Sequence, residues 1–117
     1  MKDLLNSECE ACRADESGVS AAEAKELLQQ IPEWAIEQLD DMSILEREYT
    51  FKNFVAALEF TNKVGELAEA ANHHPVLVTE WGKVTVEWWT HKIKGLHKND
   101  FVMAAKTERL YSSLSGE

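Results

Sequence analysis

Three of the four histidines, His73, His74 and His91, stand where an imidazole could do chemistry. Imidazole is the side chain that most readily gives or takes a proton near neutral pH. His73-His74-Pro75 closes an apolar helical pattern, and a helix C-terminus favours a positively charged ring. Glu69 lies four residues before His73, a spacing that puts both on one helix face and would let the carboxylate orient that ring. Pro75 forces His74 out of helical geometry, so the two rings diverge and suit flanking a small molecule better than chelating one ion. His91 ends a strand pattern on the same face as Trp89. Asp100 opens the last helical pattern, where the helix dipole keeps a carboxylate ionised and able to hold a histidine. Taken singly, each of these positions also reads as an ordinary surface or helix-end residue.

The two cysteines, Cys9 and Cys12, form a CxxC pair. A zinc site needs about four ligands, and a redox pair should sit by a βαβ pattern. Neither context surrounds them, so the pair reads as free thiols in a polar, mobile leader over residues 1–18. Residues 19–117 read as a single domain. A net charge of −9 excludes a phosphate-backbone partner, which needs a basic stripe, and disfavours an anionic membrane surface. No apolar run approaches the roughly 18 residues of a membrane span. Reduced thiols and the lack of an apolar leader point to the cytoplasm.

The elements that must position these residues follow from caps and periodicity. Ser20 and Glu23 fit a capping box that opens a short helix, which Pro32 stops. Trp34 to Leu39 and Ser43 to Phe51 read as strands around an Asp40-Asp41 turn. Asn53 can cap a long helix whose seams, Ala57-Phe60-Val64-Leu67-Ala71 and Phe54-Leu58-Thr61-Gly65-Ala68, should together bury against a sheet. Val76 to Thr79 and Lys83 to Thr90 form a hairpin about Trp81-Gly82. A last helix runs from about Lys98 to Leu114 with Phe101, Ala105 and Leu110 inward. The order α-β-β-α-β-β-α predicts an α+β fold: a four-stranded, mostly antiparallel sheet with helices on one face.

The ordered set Glu69-xxx-His73-His74-Pro75, Trp81, His91 and Asp100 resembles the signature of the pterin-4a-carbinolamine dehydratase family. Phe51-Lys52-Asn53-Phe54, Trp81-Gly82-Lys83-Val84 and Lys94-Gly95-Leu96 agree with it, and Cys9-Glu10-Ala11-Cys12-Arg13 resembles leaders of bacterial members. The resemblance covers about residues 20 to 110. It implies His73, His74 and His91 as the active-site histidines, with Asp100 and Glu69 as supporting acids and Trp34 lying along the pterin. Asn72 stands where some members have Asp. His97 stands where Thr or Ser often caps the last helix, which leaves that cap open. The resemblance further implies a pterin substrate, with no metal and no separate cofactor. It also implies a homo-oligomer, dimer or tetramer, and a functional link to an aromatic amino acid hydroxylase. Two other classes compete: a metal enzyme using His73, His74 and His91, and a protein-binding cofactor of transcription.

Overall fold

The computed structural model describes residues 19–39, 42–90 and 95–115. The Cys9-Cys12 pair, the Asp40-Asp41 turn and His91 lie outside the described residues.

Ser20 opens helix α1 (Ala21–Leu28), its hydroxyl accepting the Glu23 N–H at 3.1 Å. The helix stops at Leu28 and the chain tightens into three-residue turns through Ile31, as Pro32 requires. Strands β1 (Ala35–Leu39) and β2 (Met42–Thr50) pair antiparallel, with Ala35 opposite Glu46. Asn53 caps α2 (Phe54–Ala71) by accepting the Ala56 N–H at 2.8 Å. Strands β3 (Val76–Glu80) and β4 (Lys83–Trp88) form the expected hairpin. Glu80 pairs with Lys83 across the Trp81-Gly82 turn, and Gly82 supplies the positive φ of 77° that the turn needs. Helix α3 (Lys98–Ser115) completes the chain.

All three strand pairings are antiparallel, in the order β1-β2-β4-β3. The central strands β2 and β4 turn Leu45, Tyr49, Val84, Val86 and Trp88 into one core with Phe60 and Val64 of α2 and Phe101 of α3. Burying one such side chain contributes about 1.5–3 kcal/mol. The α+β architecture expected from the element order holds.

Two packing expectations need correction. Only part of the α2 stripe is buried: Ala57, Phe60 and Val64 of the first seam and Ala68 of the second are covered, whereas Phe54 and Leu58 are each 43% exposed. The stripe is too wide for a sheet that meets one side of the helix. On α3 the burial is not a single narrow face, because Phe101, Val102, Met103 and Ala104 are all buried in succession. Ala105 and Leu110 only flank the core.

Candidate active site

The site begins with the end of α2. Asn72 takes the left-handed conformation, φ 55° and ψ 41°, which an asparagine tolerates better than most residues. The His73 N–H returns to the Ala68 carbonyl at 3.1 Å, the six-to-one bond of a Schellman closure. The chain therefore reverses between Ala71 and His73. His73 is carried into the interior, 5% exposed, while His74 is left outside.

This reversal overturns the expected Glu69–His73 pairing. Glu69 Oε2 lies 2.7 Å from Nε2 of His74, with both side chains largely in solvent. A four-residue spacing joins side chains only while the helix continues, and Asn72 ends it one residue too early. His73 instead meets Asp100, Nε2 to Oδ1, at 2.6 Å. Two imidazole–carboxylate pairs result, adjacent in sequence and opposite in environment.

The buried pair is held from every side. Asp100 is fully enclosed. Its second oxygen, Oδ2, accepts the Thr90 hydroxyl at 2.8 Å and the His97 backbone N–H at 2.8 Å. The His73 ring stacks on the Trp88 indole with planes 5° apart and centroids 5.7 Å apart. Trp88 in turn donates its indole N–H to Thr107 Oγ1 at 3.2 Å, and Thr107 donates to the Met103 carbonyl at 2.7 Å.

His97 resolves the open question of the α3 cap. Its ring Nδ1 accepts the Asn99 N–H at 3.1 Å, and the Asp100 carboxylate reaches back to the His97 N–H. This is the reciprocal logic of a capping box, with an imidazole in place of a hydroxyl. Asp100 therefore serves the helix end and His73 at once. Thr90, Trp88 and Thr107 were not singled out from the sequence as site residues. The only hint at Thr90 is its place directly before His91.

Trp34 lies apart from this cluster. It is 3% exposed, donates its indole N–H to Glu108 Oε1 at 2.9 Å and packs edge-on against Tyr49. Glu108 is two turns beyond Asp100 on α3, about 12 Å along the helix axis. The same Glu108 oxygen accepts from Tyr49, at 2.7 Å, and from Arg47. Burial, with the Glu108 charge behind it, pushes the Tyr49 hydroxyl well above its ordinary value. For Arg47, burial works against the charge, but the bond to Glu108 together with the charges of Glu108, Tyr49 and Glu33 outweighs it, and the guanidinium is held more firmly protonated. The carboxylate thus ties the α1–β1 connection to β2 and α3, and no open ring face of Trp34 is presented.

An open groove of ≈ 670 Å³ runs along α2 and β3 to Glu69, lined by Thr61, Asn62, Gly65, Glu66, Glu69 and Leu77. A second hollow of ≈ 470 Å³ beside α1 is lined by no histidine or carboxylate. Among the described residues no group of three or more His, Cys, Asp or Glu side chains could hold a metal ion. No helix among them is long and apolar enough to cross a membrane.

Comparison with known proteins shows the family and the fold. A protein from Saccharophagus degradans that carries the pterin-4-alpha-carbinolamine dehydratase name is 59% identical over 111 residues, covering 95% of this chain and 98% of its own. The crystal structure of a transcriptional coactivator/pterin dehydratase from Brucella melitensis superposes with a TM-score of 0.72 at 26% identity, covering 80% of this chain and 98% of that one. Residues 17–110 match the family described as pterin 4 alpha carbinolamine dehydratase, and the chain belongs to that family.

Proposed function

We propose that this protein dehydrates 4a-hydroxytetrahydropterins by imidazole acid–base catalysis. The observation that carries the reading is the pair of adjacent histidines, each at hydrogen-bond distance from its own carboxylate: His73 with Asp100 at 2.6 Å and His74 with Glu69 at 2.7 Å. A carboxylate on one ring nitrogen fixes the tautomer and stabilises the imidazolium that forms during proton transfer. The reaction needs one acid and one base. A proton is delivered to the C4a hydroxyl, the C4a–O bond breaks, and water leaves. The N5 proton goes to a base, and the electrons of the N–H bond form the N5=C4a double bond of the quinonoid dihydropterin. Nothing is oxidised or reduced, and the imidazoles supply both proton transfers, each worth about 10²–10⁴ in rate.

His74 is the group that meets substrate from solvent, because half of its side chain is exposed and Nε2 is engaged by Glu69. His73 closes the interior side, with His91 as the third imidazole of the reading. The open groove along α2 and β3 ends at Glu69, the partner of His74, which supports a small pterin approaching the pair from solvent. An aromatic amino acid hydroxylase would supply the carbinolamine, in the cytoplasm. Exposed Phe54, Val55 and Leu58 on α2 and Val76 and Val78 on edge strand β3 support a homo-oligomer. The test is a dehydration assay on carbinolamine generated by phenylalanine hydroxylase turnover. Faster decay of the carbinolamine with the protein is expected. A rate equal to the buffer rate refutes the reading.

A further inference from the structure

We propose that Thr90 is a positioning residue for the buried His73–Asp100 pair, an inference that rests on the dehydratase reading and adds to it. Thr90 is 3% exposed and follows β4, where its backbone exchanges bonds with Gly95, N–H to O at 2.8 Å and the return at 3.4 Å. That bridge fixes its Cα against the segment leading into α3. Its hydroxyl donates to Asp100 Oδ2 at 2.8 Å, the oxygen that His73 does not use.

A carboxylate can turn about its last bond, and its two oxygens are chemically equal. What distinguishes them here is their partners. Oδ2 takes Thr90 from the sheet and the His97 N–H from the helix cap, which leaves Oδ1 aimed at His73. The cap alone would hold Asp100 to its own helix turn. Among the described residues only the Thr90 hydroxyl ties the carboxylate to the chain that follows β4, and Trp88, two residues earlier at the end of that strand, is the ring on which His73 stacks. Thr90 and Trp88 therefore fix the His73 ring together, one through its hydrogen bond and one through its face. Removing the hydroxyl leaves Oδ2 with a single backbone donor, and the carboxylate becomes free to swing away from Nε2.

Thr90→Val keeps the shape and removes the donor, and Thr90→Ser restores it. Thr90→Val should lower kcat about tenfold, the order expected for one hydrogen bond to a charged group, with KM within about twofold. Thr90→Ser should recover most of the rate. The ring resonances of His73, followed by NMR with the proton between Nε2 and Asp100, should shift in Thr90→Val and not in Thr90→Ser. A merely structural hydroxyl would lower the melting temperature without this split or this rescue. Should Thr90→Val not fold, Thr90→Ala removes the same donor with less bulk and carries the same expectations. Wild-type kcat in the valine or alanine variant overturns the proposal, whether or not the ring signal moves. Failure of the dehydratase reading itself is distinct, because it appears as absent turnover in the unmodified protein.

Discussion

Asp100→Asn perturbs the buried pair while keeping its shape. The carboxylate accepts three donors, at 2.6 Å from His73 and 2.8 Å from each of Thr90 and the His97 N–H. An amide oxygen offers two acceptor sites, so it can keep Thr90 and His97. The amide NH₂ then faces Nε2 of His73. Two donors cannot face each other, so the neutral ring must move its proton to Nδ1 and accept at Nε2. The contacts survive as neutral ones. A hydrogen bond to a charged group is worth about 1.5–3 kcal/mol and a neutral one about 1 kcal/mol, and the change should cost roughly 1–3 kcal/mol in all. For a domain of this size each kcal/mol moves the melting temperature by about 4–8 °C, so a fall of roughly 5–20 °C is expected by circular dichroism. Activity should fall further than stability implies. A ring held in the wrong tautomer costs up to about 10⁴ in kcat in a serine-protease triad, and two to four powers of ten are expected here. Asp100→Ala, which strands all three donors, should cost about 3–5 kcal/mol. Wild-type kcat in folded Asp100→Asn would refute the argument that the His73 tautomer serves the reaction.

His74→Ala should lower kcat by about 10²–10⁴, and because the side chain is half exposed, unfolding free energy should stay within about 0.5 kcal/mol. A near-wild-type rate removes His74 from the mechanism. On the open face of the sheet, Glu46 sits opposite Glu87 in the β2–β4 ladder. The hydrogen bond that protonated Glu46 donates to the Glu87 carboxylate, then burial, then the charges of Glu87 and Glu48 raise the Glu46 carboxyl from 4.5 to about 7. The folded state therefore holds a proton that the unfolded chain releases near 4.5, so stability is fullest below that pH and is lost as pH rises to about 7. Solvent screening of this largely open pair leaves about 1 kcal/mol. Glu46→Gln should flatten the fall in melting temperature between about pH 5 and pH 8, and an unchanged slope would show that the pair is not its source. Dialysis against EDTA should leave turnover unchanged; a loss reversed by zinc would favour a metal enzyme built on His73, His74 and His91.

Much of the fold was legible because it depends on local rules. The Ser20 and Asn53 caps, the stop before Pro32 and the Trp81-Gly82 turn are each decided within a few residues. At the site, the pairing of Glu69 with His73 read from the sequence is replaced by Glu69 with His74 and His73 with Asp100. Helical periodicity joins Glu69 to His73 only if the helix runs through position 73, and the signal against it was Asn72, a residue suited to the left-handed stop. The contacts of Asp100 with His73 and Thr90 depend on where α3 begins relative to the ends of α2 and β4. That placement is set by packing of the whole core, with sequence separations of 27 and 10 residues, and no local pattern encodes it. The same holds for Trp34 and Glu108, 74 residues apart.

The consequence of the Asn72 turn reaches the chemistry. An elimination that needs an acid and a base at the same pH is better served by rings whose environments differ. Here each ring has its own partner. His73 is 4% exposed against a fully buried Asp100, whereas His74 is 51% exposed against Glu69 at 78%. The first pair is rigid, shielded from salt and stacked on an aromatic face. The second is screened by water and stands beside the open groove that ends at Glu69. One left-handed residue therefore sets a repeated His-His into two unlike imidazole–carboxylate pairs. It follows that changes at Asp100 should act on stability and rate together, while changes at Glu69 should act on rate alone.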